Sequence, residues 1–156
     1  MATLLAGCGQ SAVENAMERR IEEETGGDAD VDMQADGSMR VETAEGTVMT
    51  GPASELPENW PSDVPVYDDA QITFSGSASQ GNGKMGTMVM LQTEDSVEDV
   101  VAYYKDEIVK QGWKIDATMQ MGGSTVMAAT KGSRVVSMQV AASGEGTVIT
   151  LGIGEQ

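Results

Sequence analysis

The sequence predicts an α+β fold: an antiparallel sheet with one helix packed across a face, in the order ββαββββ, preceded by a short helix and a small three-stranded meander. Three observations carry this. Apolar residues recur at period two in several short runs separated by glycine-containing turns. Only two segments show helical spacing, too few to supply the crossovers of a parallel sheet. All four prolines (Pro52, Pro57, Pro61, Pro65) fall in one stretch, which divides the chain into residues 1–8, 9–51, 52–66 and 67–156.

In SAVENAMERRIEEETGG, Val13, Ala16, Met17 and Ile21 share one helical face, charges take the other, and Gly26-Gly27 end the helix. Ala29, Val31 and Met33 then alternate with Asp28, Asp30 and Asp32. Ala35-Asp36-Gly37 turns the chain into Met39, Val41 and Thr43, and Glu45-Gly46 turns it into Thr47-Val48-Met49. This helix plus acidic β-meander is too small to hold a core by itself. The joint GPASELPENWPSDVP is a stiff, partly polyproline-like lead-in. Trp60 within it is expected to clasp the following domain, with an exposed ligand platform as the alternative.

From Tyr67 onward the chain reads as the main domain. Ile72 and Phe74 alternate on one strand, Gly81-Asn82-Gly83 turns, and either Met88 and Met90 or Val89 and Leu91 point inward on the next. The segment TEDSVEDVVAYYKDEIVKQG has Asp95 or Ser96 as N-cap and Gly112 past its end. Its apolar face is Val97, Val100, Val101, Tyr104 and Ile108, with Tyr103 at the edge. Trp113, Ile115, Ala117, Met119 and Met121 follow at strict period two, with Trp113 in the core. Turns at Gly122-Gly123, Lys131-Gly132-Ser133 and Gly144-Glu145-Gly146 separate the last strands.

Composition excludes several function classes. Twenty-five acids against nine bases give a net charge of −16, so nucleic acid and anionic lipid headgroups are repelled. Histidine is absent, which removes the commonest general base and transition-metal ligand. Asp28, Asp30 and Asp32 have the spacing of a calcium loop, but Met33 and Met39 stand where that loop needs glycine and glutamate, so they read as a solvated strand face. Gly81, Gly83 and Gly86 spell GxGxxG between two strands, which makes a hairpin and not a phosphate cradle. No metal, no cofactor and no catalytic residue is expected, and the chain reads as a non-enzyme.

Cys8 is the single cysteine, so no intramolecular disulfide can form. With Leu5, Ala6 and Gly7 before it, the stretch resembles the lipobox of bacterial lipoproteins, which implies a diacylglycerol on Cys8. Each buried methylene contributes about 0.8 kcal/mol, and two or three acyl chains anchor stably. Only seven residues, none basic, precede Cys8, whereas a signal peptide has a basic start and an apolar run of about 7–15 residues, so the start lies upstream or the chain is trimmed. Beyond Cys8, the segments ENAMERRIEEETGG, ADVDMQADGSMRVETAEGTV, LPENWPSDVPVY and VVAYYKDEIVKQGW resemble bacterial envelope lipoproteins and secreted proteins. That resemblance implies a lipid-anchored address on the periplasmic or extracellular face of a membrane, and implies no activity.

The functional expectation is a membrane-tethered, non-enzymatic binding module. It would hold an envelope protein, peptide, glycan or small ligand on the sheet face away from the helix or near Trp60 and Tyr67. The alternative is a structural or assembly protein that self-associates through exposed strand edges.

Overall fold

The computed structural model describes residues 10–44, 46–51, 55–80, 84–144 and 146–155. Its elements are α1 (Gln10–Thr25), β1 (Ala29–Met33), β2 (Met39–Thr43), β3 (Gly46–Thr50), β4 (Gln71–Gln80), β5 (Met85–Thr93), α2 (Val97–Lys110), β6 (Lys114–Met121), β7 (Ser124–Lys131), β8 (Arg134–Ser143) and β9 (Gly146–Glu155). All nine strands form one antiparallel sheet in the order β1-β2-β3-β4-β5-β9-β8-β7-β6.

This corrects the predicted architecture. The layout of a ββαββββ sheet with a helix across its face, preceded by a separate meander, does not hold. β3 pairs with β4 from Gly46↔Gln80 to Thr50↔Gly76, which joins the meander edge-on to the larger sheet. α2 packs against β6, β7 and β8, one wing of the sheet. The physical reason is the edge problem: β3 and β4 each expose a ladder of backbone groups, and pairing them removes two edges at once.

α2 forms because its ends and its face agree. The Ser96 hydroxyl accepts from Asp99 N–H at 3.2 Å and donates to the Asp99 carboxylate at 2.7 Å, closing the first turn. Gly112, at φ +84, lets Trp113 N–H reach the Ile108 carbonyl at 3.1 Å and ends the helix. Val100, Tyr104 and Ile108 are fully buried against Val89, Leu91, Met127, Val136, Met138, Val140, Ile149 and Leu151. These side chains fill the helix-to-sheet interface, and among the described residues no buried side-chain polar atom lacks a hydrogen-bond partner.

α1 turns its acids, not its apolar stripe, to the sheet. Glu18 accepts from Val31 N–H at 3.2 Å and Glu14 accepts from Met33 N–H at 3.0 Å. The two carboxylates, one helical turn apart, cap the outward N–H groups of the outermost strand. Val13 and Met17 are left 45% and 39% exposed.

Candidate functional site

The sheet has two unlike faces. Cross-strand registers place Val89, Leu151, Met138 and Met127 in one row facing α2, and Met88, Gly152, Ser137 and Ala128 in the next row facing away. On the face away from α2 lies an open groove of about 440 Å³, within the range of small-ligand sites. Its apolar walls come from Val48 on β3, Phe74 and Ala78 on β4, Met88 on β5 and Val135 on β8. The two sides of the proline stretch therefore contribute to one surface.

Phe74 reaches this groove because of a one-residue bulge. Ile72 pairs with Leu91 on the α2 face, but Phe74 pairs with Met90 on the opposite one, the register shifting between them. A strand's side chains alternate strictly, so a single extra residue moves everything after it to the other face. The expectation that Ile72 and Phe74 share a face is thus corrected. β6 repeats the device: Ile115 pairs with Ala129 on the core side, and after a shift Ala117 pairs with Ala128 on the open side. Trp113 and Ile115 pack in or against the core, whereas Met119 and Met121 are exposed, so the strict period two across these positions is broken.

The groove floor is backbone. Gly76, Gly86, Gly152 and Gly154 all line it. A Cβ on Gly76 would lie 3.1 Å from the Met49 carbonyl oxygen and 3.2 Å from the Phe74 ring, and one on Gly152 would lie 2.9 Å from Ser137 Oγ. A Cβ on Gly154 would meet nothing within 4 Å and would project into open space. The absent side chains are what make the floor low. This signal was present in the sequence as SGSAS, MGTM and LGIG, where small residues alternate with core positions.

The lining favours binding over reaction. Ser137 Oγ donates to the Gly152 carbonyl at 3.4 Å, so its hydroxyl is turned to the floor. The chain has no histidine, and among the described lining residues no hydroxyl is seen hydrogen-bonded to Glu155.

Trp60 and Tyr67 sit elsewhere, in a strap that crosses from β3 to β4. Trp60 Nε1 donates to the Val64 carbonyl at 3.1 Å, and its ring packs against the core. Tyr67 N–H donates to the Tyr104 hydroxyl at 3.1 Å, and Tyr67 Oη donates to Asp95 at 2.7 Å. That bond to Asp95 and burial push the Tyr67 phenol up to about 12. The Tyr103 hydroxyl donates to the Val66 carbonyl at 3.1 Å, and the Tyr67 and Tyr103 rings meet edge-on at 4.8 Å. Trp60 and Tyr67 thus spend their polar atoms within the chain, and the structure does not bring them to the groove.

The strap is pinned at Asp63. Its carboxylate accepts from both terminal nitrogens of Arg134, at 2.9 and 2.6 Å, and from Lys131 Nζ at 2.7 Å. The Arg134 hydrogen bonds foremost, then Lys131, hold this carboxyl far below the usual range, against an opposing effect of burial. Arg134 also lies 4.9 Å above the Trp113 ring, whose Nε1 donates to the Asp63 carbonyl at 2.8 Å.

Asp30 and Asp32 stand on β1 opposite Glu42 and Arg40, and Asp28 immediately precedes the strand. Among the described residues, no group of three His, Cys, Asp or Glu side chains could hold a metal ion. Cys8 and the Gly81-Asn82-Gly83 turn lie outside the described residues. No described helix is long and apolar enough to cross a membrane.

One protein-family model, START domain-like, matches residues 72–146. The match runs from β4 through β8 to the first residue of β9, a little under half of the 156 residues. Neither curated proteins nor solved structures give a match. The likeness is to a class of ligand-binding modules that are generally not catalytic, and it is compatible with a non-enzymatic binding role.

Proposed function

We propose that this chain is a non-enzymatic binding module that holds a small lipophilic ligand in the open-face groove. The observation that carries this reading is the groove itself: about 440 Å³, apolar-walled and glycine-floored, with Phe74, Ala78, Met88 and Val135 inside the START domain-like match. Burial of the ligand's apolar surface supplies the driving force, and a lining in which Glu155 is the one charged residue among those described favours a largely uncharged body. In the same reading, a diacylglycerol on Cys8 tethers the module to the outside of a bacterial membrane, where lipophilic molecules are at hand.

The test is a fluorescence titration with Nile red, comparing the wild-type chain with Gly154→Val. The added side chain enters open space, so folding is retained while the groove fills. Saturable binding that weakens at least tenfold in the variant is the expected result, and equal binding by both proteins would overturn the groove. The tether is tested by intact mass of membrane-extracted protein, expected to begin at Cys8 and carry two or three acyl chains.

A second reading, assembly through strand edges, is favoured by β6, which is the outermost strand of its wing and leaves Met119 and Met121 exposed. Growth of homo-oligomers beyond a dimer with concentration would support it.

A further inference from the structure

The face away from α2 is distinguished by what it lacks. Following the registers across β2, β3, β4, β5, β9, β8 and β7 gives rows such as Val41, Val48, Ala78 and Gly86, then Phe74, Met90, Thr150, Gln139 and Val126. Among the described residues of these seven strands, no Asp, Glu, Lys or Arg holds a register position on this face, and Glu155, at the end of β9, is the one charged residue that lines the groove. The chain has 34 such residues (25 acids and 9 bases). In the meander they lie on the opposite face: Asp30, Asp32, Arg40 and Glu42 occupy the alternate positions. Beyond Glu155, the first charges met on the open side are Lys114 and Asp116, paired at 3.0 Å on the outer strand β6. A solvated sheet face in so acidic a protein would be expected to share in that charge.

We propose that a second copy of this chain covers this face, the two sheets packing face to face about a two-fold axis. The area is sufficient: seven strands about 4.8 Å apart and averaging about eight residues present roughly 750 Å². Specific stable interfaces bury about 600–1,000 Å² per partner. A two-fold contact is self-complementary, and a face without charged register positions among the described residues lets a −16 chain meet its own copy with few like charges in contact. Gly76, Gly86 and Gly152 let the second sheet come close, and the groove becomes a cavity roofed by the partner.

This stands apart from the ligand reading and is tested by sedimentation equilibrium of the full chain. A discrete dimer is expected, tightening several-fold as salt is raised above about 0.15 M, because the net charges of the two copies are then screened. Met88→Glu and Ser137→Glu, each placing a charge on the face, should weaken it at least tenfold with an unchanged far-ultraviolet circular dichroism spectrum. Val109→Glu, on the exposed side of α2, should leave it intact. A wild-type chain that stays monomeric at every salt concentration overturns the proposal, as does a dimer that survives both face variants. A monomer that binds Nile red would overturn this proposal and leave the groove standing. A dimer that takes up no Nile red would do the reverse.

Discussion

Arg134 and Asp63, 71 residues apart, meet in a two-pronged hydrogen bond at 2.9 and 2.6 Å that ties the strap to the start of β8. Lys131 joins them from the end of β7, so one carboxylate answers two cations. Planar guanidinium and carboxylate geometries match, which makes this the strongest of the described ion pairs.

Asp63→Ala is expected to cost about 2 kcal/mol, the loss of charge-assisted bonds together with two cations left without their shared partner. Because the Asp63 carboxyl is held below its ordinary value, its contribution is full above about pH 4 and is lost as pH falls toward the folded-state value. Thermal melts should therefore show a gap between wild type and Asp63→Asn that is constant from neutral pH to about pH 4 and closes only below it.

Tyr104→Phe removes the acceptor of the Tyr67 N–H from a fully buried position. Truncation by one oxygen leaves no large cavity, so the cost is that of the stranded donor, about 1–3 kcal/mol. Urea unfolding at unchanged m-value would check it.

The chain's three tyrosines form one cluster, and all three phenols are raised. The phenolate absorbance step of the folded protein is expected to lie at higher pH than that of the protein unfolded in urea. Tyr67 is raised by its bond to Asp95 first, so Asp95→Asn should bring one tyrosine down from about 12 while the other two stay. The sign follows from the neutral form being favoured: the contribution to stability is present below the unfolded value and is lost as pH rises through the folded one.

Glu14→Ala with Glu18→Ala uncaps the N–H groups of Val31 and Met33 on β1. The double variant should form irregular, concentration-dependent oligomers by light scattering, since an open strand edge recruits further strands.

What the sequence shows of this protein is local. α2 could be read from a cap at Asp95 or Ser96 to Gly112, with Val100, Val101, Tyr104 and Ile108 on its buried face and only Val97 less buried than expected, because cap, period and stop agree there. The joining of β3 to β4 could not, since strand pairing across a proline-rich stretch has no local signature. Nor could the bulges: nothing in Gln-Ile-Thr-Phe says that Thr73 is the extra residue, yet that one fact carries Phe74 from core to groove. Trp60 and Tyr67 stood out by residue type, while the groove, Phe74 apart, is made mostly of small and aliphatic residues that draw no notice until registers align them.

β9 lies between β5 and β8, at the centre of the sheet, though it is the last of the nine strands to be synthesised. Until it emerges, the wing of β1 to β5 and the wing of β6 to β8 have no backbone connection through the sheet. The groove, with Gly152 and Gly154 in its floor, does not yet exist. Completion of the sheet therefore awaits β9, and loss of Gly146–Glu155 would not trim an edge but separate the two wings.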